Sequence, residues 1–205
     1  DLGISGEACH GPAKRHVEQQ QRLASLPEAG RRQALDTVPL AIVQPADLNP
    51  VRSSQVCGSC HGMKWFNKSE EWTTHGFRYR PGDDLAATTP IIQPSKLDKQ
   101  PWLKQVLEKN PGILNDFFWP DGHIRVTGRE YNGLLESPCH QRGTMSCVSC
   151  HSMHDSDPND QLARGMRGNR ACLQCHEEMA ADLTRHTRHA ADSAGSNCYN
   201  CHMPH

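Results

Sequence analysis

Aromatic side chains are scarce in this chain: Phe, Trp and Tyr make up 5 % of it, and apolar residues together reach only 36 %. Large rings supply much of the buried area of an ordinary interior. A chain of 205 residues so poor in them would struggle to fill a core of its size from side chains alone. Long hydrophobic runs are lacking too. No stretch approaches the roughly 18 apolar residues that span a bilayer as a helix. An excess of charge is also missing: 22 Lys and Arg face 23 Asp and Glu, and no long basic run is there to hold nucleic acid. No signal peptide precedes Asp1, so the chain reads as mature or trimmed.

Cysteine and histidine are plentiful, at 10 and 13 residues, beside 14 Pro and 16 Gly. The Pro and Gly predict a backbone rich in turns and loops. Ten Cys point to disulfides in an exported chain and to metal or redox chemistry in a cytosolic one, and their spacing decides between the two. Eight of them fall into four copies of one motif: Cys57-Gly-Ser-Cys60-His61, Cys147-Val-Ser-Cys150-His151, Cys172-Leu-Gln-Cys175-His176 and Cys198-Tyr-Asn-Cys201-His202. Each is C-x-x-C-H, the attachment signature of c-type haem. Two thiols add across the two vinyl groups of haem, and the two-residue spacer matches their separation. The His that follows becomes the proximal iron ligand. A lone C-x-x-C is often half a zinc site or a redox disulfide, but neither requires His directly after the second Cys. All four copies carry it. Four covalent haems c are therefore expected, on Cys57, Cys60, Cys147, Cys150, Cys172, Cys175, Cys198 and Cys201, with His61, His151, His176 and His202 as proximal ligands.

Cys9 and Cys139 remain, each followed by a histidine, His10 and His140. Gly6-Glu-Ala-Cys9-His10 looks like a fifth motif whose first Cys has become Gly6. Three readings stand: a fifth haem held by one thioether with His10 on its iron, a Cys9–Cys139 disulfide closing a long loop, or two free thiols.

The motifs at 147, 172 and 198 follow one another at intervals of 25 and 26 residues, whereas the first lies 90 residues before the second. One multihaem domain over 1–205 is expected, in three parts. Residues 1–56 hold the degenerate motif, 57–146 the first full motif and a Pro-rich segment without haem Cys, and 147–205 a three-haem cluster. Helices are predicted at Ala13–Leu26, Glu28–Leu35, Pro101–Asn110 and Asn169–His189. The best strand candidate, Gly122–Val126, is weak. The predicted fold class is mostly loop with short α-helices and little strand, organised around a haem stack. Trp65, Trp72, Trp102 and Trp119 are expected to pack in the core or on haem edges.

An iron with His on both sides is six-coordinate and low-spin and leaves no open position for substrate. Nine His beyond the four proximal ones are available as sixth ligands. His16, His75, His140, His154 and His189 are the leading candidates. His154 lies too close to His151 to reach the same iron, and so suits a neighbouring haem. His186 and His189 lie one helical turn apart, with His189 preferred. His10, His186 and His205 are weaker candidates, and His123 reads as a turn residue beside Asp121-Gly122. Met145, Met153, Met166, Met179 and Met203 lie near motifs, but nothing else marks them as ligands.

Several stretches, in this order, look familiar: Cys9-His-Gly-Pro-Ala-Lys-Arg-His16, Asp121-Gly-His-Ile-Arg through Arg129-Glu-Tyr, Ser137-Pro-Cys139 leading to Cys147-Val-Ser-Cys150-His-Ser-Met-His154, and Cys198-Tyr-Asn-Cys201-His-Met-Pro. They resemble the large multihaem cytochromes c of bacteria, including members fused to tetratricopeptide repeats. The resemblance implies distal roles for His16 and His154, and by position for His140 and His189. The chain departs from the family at Gly6, where relatives carry Cys, and relatives have at least one further haem motif upstream. Its size also resembles the tetrahaem cytochromes that polymerise into extracellular conducting filaments, in which a His of one subunit ligates a haem of the next. His205 motivates the same idea here. The class implies a periplasmic or extracellular location, because haem is attached covalently outside the cytoplasm. The expected function is electron transfer through closely spaced bis-His haems to redox proteins or sister subunits, with no enzymatic activity. The alternative is a reductase or oxidase of a small nitrogen or sulfur compound at one open-site haem, with a proton-delivering group nearby.

Overall fold

The computed structural model describes residues 4–66, 68–154, 156 and 160–203. Its chain is short helices and loops, with isolated bridges and no strand among the described residues. Among the described residues nine α-helices precede residue 147: α1 Gly6–His10, α2 Lys14–Ala24, α3 Glu28–Thr37, α4 Pro50–His61, α5 Ser69–His75, α6 Leu85–Thr88, α7 Pro101–Lys109, α8 Glu130–Glu136 and α9 Pro138–Gln141. Four more follow it: α10 Arg170–Leu173, α11 Glu177–Ala180, α12 Leu183–Thr187 and α13 Cys198–His202. The predicted helices at 13–26, 28–35 and 101–110 thus form as α2, α3 and α7, within a few residues at each end.

The chain differs from expectation at two elements. The single helix expected over Asn169–His189 is broken into α10, α11 and α12. His176 leaves the helical region at φ −109°, ψ 51°, and Asp182 leaves it at φ −148°, ψ 55°. Asp182 accepts a hydrogen bond from Arg185 N at 3.2 Å, so its side chain starts a new helix where a long one would have run through. Arg188, in the left-handed region at φ 60°, ends α12. The strand expected at Gly122–Val126 shrinks to one antiparallel bridge between Phe118 and Ile124. The turn at Gly122, with φ 89°, folds the chain back, and Trp119 N reaches His123 O at 2.8 Å and Arg125 N reaches Phe117 O at 2.9 Å. No neighbouring segment extends the pairing.

Two compact units divide the chain, Asp1–Ser146 and Cys147–His205. The first has a side-chain core in two parts. Tyr79, Leu85, Ile91 and Tyr131 form one cluster, backed by Phe77, Leu134 and Leu135. Ile92, Leu103 and Phe118 form the other, with Trp65, Trp102 and Phe117 packed against it. Consecutive residues in extended backbone point to opposite sides, and so Ile91 and Ile92 serve different clusters. Their segment pairs with the chain just beyond α4: Trp65 N donates to Pro90 O at 2.9 Å and Ile92 N to Met63 O at 2.8 Å. The first full motif is thereby pinned to both clusters. Trp65 and Trp102 lie stacked, ring centroids 6.3 Å apart. Of the two places expected for the Trp, the core takes Trp65 and Trp102 but not Trp72 and Trp119. About half of each is exposed, Trp72 against Phe66 and Trp119 beneath the Arg125 guanidinium.

The second unit has no such interior. Ser196 is the single buried residue among its described residues. Its helices run to four or five residues, a length that does not hold in water without outside support.

Candidate haem attachment sites

All four full motifs take the form of one helical turn. Cys57–His61 is the last turn of α4 and Cys198–His202 is the whole of α13. Cys147–His151 and Cys172–His176 lie in tight turns, in which the His N–H donates to the carbonyl of the first Cys at 2.9 and 3.1 Å. Residues three and four apart share a helix face, and so the two thiols and the imidazole of each motif project on one side. The degenerate motif has the same form: α1 consists of Gly6, Glu7, Ala8, Cys9 and His10 alone.

Around α4 the support is specific. Asn49 caps it, accepting from Arg52 N at 3.0 Å, and Pro50 fills its first turn. Four consecutive residues entering α8 then dock on the motif. Arg129 donates to Cys60 O at 3.4 Å. Glu130 Oε2 lies 2.9 Å from His61 Nδ1. The Tyr131 ring lies over Gly58, where an added Cβ would come within 2.5 Å of it, so a side chain at this spacer position would push the ring away. Asn132 accepts from Met63 N at 2.7 Å and donates to Ile92 O at 2.7 Å.

Carboxylate or carbonyl partners orient several of the imidazoles. His61 Nδ1 faces Glu130, His151 Nδ1 faces Asp160 O at 3.2 Å, and His10 Nδ1 faces Val43 O at 2.8 Å. A histidine that donates through Nδ1 presents Nε2 as its metal-binding atom. His10 is held twice, since its carbonyl accepts from Val43 N at 3.0 Å. Glu130 is partly desolvated, which opposes its ionisation. Hydrogen bonds from its own N–H, His61 and Gly128 outweigh this and hold its carboxyl below the usual value.

In the second unit two side chains tie the three motifs together. Gln174, the second spacer residue of Cys172–His176, donates to Ser149 O at 3.0 Å and lies 3.9 Å from Cys150 Sγ. Asn169 donates to Ser196 O at 2.7 Å and accepts from Cys198 N at 2.8 Å. Burial, then the neighbouring Cys175 and Cys147, push the Cys150 thiol up; thiols of the first two motifs of this unit are electrostatic neighbours. Similarly, burial and then Cys60 push the Cys9 thiol up, which places α1 beside α4. Cys9 and Cys139 are unbridged, Cys9 half-buried and Cys139 exposed.

The sixth-ligand candidates lie in varied settings. His140 is buried in α9, with Nδ1 2.7 Å from Met145 O. His16, in α2, has a buried Nδ1 that meets no protein partner. His75 ends α5 and His154 follows the second motif, both exposed. The His189 ring lies against Gly195, where a Cβ would come within 2.4 Å of it. His186 and His202 are brought together, ring centroids 6.0 Å apart and planes 9° from parallel. His123 lies 3.2 Å from Asp121, in the turn expected of it. His205 lies outside the described residues.

Arg129, Glu130, Asn132, Asn169 and Gln174 have no place in a reading built on Cys and His. The residues present fit haem better than a bare ion. No three His, Cys, Asp or Glu among the described residues converge as a bare metal ion requires, whereas haem brings four ring nitrogens of its own and needs one or two imidazoles.

Residues 138–181 match the family described as a doubled CXXCH motif. That stretch contains the motifs Cys147–His151 and Cys172–His176 entire, and the match fits a multihaem c-type cytochrome with covalently bound haem c. No curated protein and no solved structure matches the chain. No helix among the described residues is long and apolar enough to cross a membrane.

Proposed function

We propose that this chain is an exported electron carrier, which passes electrons along closely spaced bis-His haems c to redox proteins or to sister subunits. The observation that carries the reading is the placement of Gln174. A spacer residue of one motif is hydrogen-bonded to the turn of another and touches its second Cys. Haems attached to thiols so near one another lie close enough for electron hopping between them. The chain's own contribution is to hold each proximal imidazole, fix its donor atom and set the charge around it. His on both faces of an iron closes it to substrate. Carbon monoxide added to the reduced protein is expected to leave the spectrum unchanged. Rapid binding at one haem would replace this reading with that of a small-molecule reductase.

A further haem belongs on Cys9 by a single thioether, with His10 as its iron ligand and His16, whose buried Nδ1 meets no protein partner, as a candidate for the opposite face. Two features support it: α1 is the same five-residue helix as α13, with Cys and His at corresponding places, and Val43 clamps His10 in the orientation of a metal-binding imidazole. The intact mass of the denatured, unreduced protein is expected to carry five haems. Four haems with two hydrogens missing would mean that Cys9 and Cys139 are bridged. Four haems with two titratable thiols would mean that Cys9 holds nothing.

A further inference from the structure

We infer that His186 and His202 are the two axial ligands of one iron, that of the haem on Cys198 and Cys201. The inference rests on the haem reading of that motif and deepens it, and it selects His186 over His189, which the sequence favours.

A metal–imidazole bond is about 2 Å long, and the ring centre lies about 1 Å beyond the bonding nitrogen. Two imidazoles on opposite sides of one iron therefore have centroids roughly 6 Å apart. The observed pair stands at 6.0 Å with planes 9° from parallel. Offset stacking of two free rings also covers this distance, at about 4.5–7 Å, and the near-parallel planes suit both arrangements; what favours a shared iron is that one of the two rings belongs to a C-x-x-C-H motif. They reach their positions from separate short helices, each with its own constraints. Asp182 starts α12 and left-handed Arg188 ends it directly after Thr187, so α12 is a single turn that presents His186. Asn169, bonded to Cys198 N and Ser196 O, fixes where α13 begins. His189 is occupied differently. Its ring rests on Gly195, in the 3-10 turn Ala194–Ser196, where it shapes the approach to α13.

The test uses the full chain with its haems. His186→Ala is expected to keep the wild-type number of covalent haems by intact mass and to convert one haem from low to high spin, with added imidazole restoring the low-spin spectrum. A spectrum that stays wholly low-spin overturns the pairing. Should the Ala variant fail to accumulate, His186→Met supplies a sixth ligand of similar reach. One haem should then show methionine ligation and a raised potential, and an unchanged bis-imidazole spectrum overturns the pairing. The underlying reading is tested separately. Cys198→Ser combined with Cys201→Ser should lower the number of attached haems by one, and an unchanged haem count would show that the motif carries none.

Discussion

With Ser in place of Cys147, Cys150, Cys172, Cys175, Cys198 and Cys201, residues 147–203 are expected to be unfolded while the first unit stays folded. The reason is the contrast between the units. The first buries Leu85 and Leu103 almost completely, within two apolar clusters. The second buries no apolar side chain among its described residues. Ordering backbone costs roughly 1–2 kcal/mol per residue, and the hydrogen bonds of Asn169 and Gln174 return on the order of 1 kcal/mol each. Helices of four or five residues add nothing of their own. The missing stabilisation must come from large apolar groups fixed to the chain, and the three covalent haems proposed for its motifs would be that. Limited proteolysis read by mass spectrometry checks this: cuts should spread through 147–203 in the variant and spare the clusters of the first unit. Wild-type protection across 147–203 would show that the unit folds without haem.

The covalent chemistry was legible in the sequence because a C-x-x-C-H motif is local. Its three reacting side chains lie within five residues, and one helical turn aligns them whatever surrounds it. Helices α2, α3 and α7 were legible for a similar reason, since Pro101 and the Asn110-Pro-Gly stop act on their own neighbourhood. The failures were of another kind. The helix expected through Cys172 looked continuous by composition, but local capping by Asp182 and the departure of His176 from helical backbone cut it into three. The pairing proposed for His186 depends on where His202 lies, sixteen residues later in the chain, which spacing within one segment does not give. Likewise nothing near Glu130 in the sequence reveals that His61, 69 residues away, will be its partner. Partners of this sort are set by tertiary placement, and one sequence without its fold does not contain them in readable form.

Glu130→Gln is expected to raise the potential of the haem on Cys57 and Cys60 and to leave the other haems where they are. His61 Nδ1 lies 2.9 Å from Glu130 Oε2, and the carboxyl is held below its usual value by that contact, its own N–H and that of Gly128, against partial desolvation. A carboxylate on the outer nitrogen makes an imidazole a stronger donor and favours the ferric over the ferrous iron by charge alone. Gln keeps an oxygen that can accept the His61 proton, so ring and tautomer stay in place and only the charge is lost. Removing an outer-shell partner commonly costs 10–100-fold in metal affinity, and a tenfold change in ferric over ferrous preference corresponds to about 59 mV for one electron. Both side chains are more than half exposed, where water screens such charges. The lower end therefore applies, and the expected shift is about 60 mV upward, read by spectroelectrochemical titration. A second variant separates charge from position: Glu130→Ala removes the acceptor as well, and should add a loss of ring alignment, seen as a broadened low-spin signal, to the same upward shift. Equal potentials in wild type and Glu130→Gln would mean that Glu130 only positions the ring.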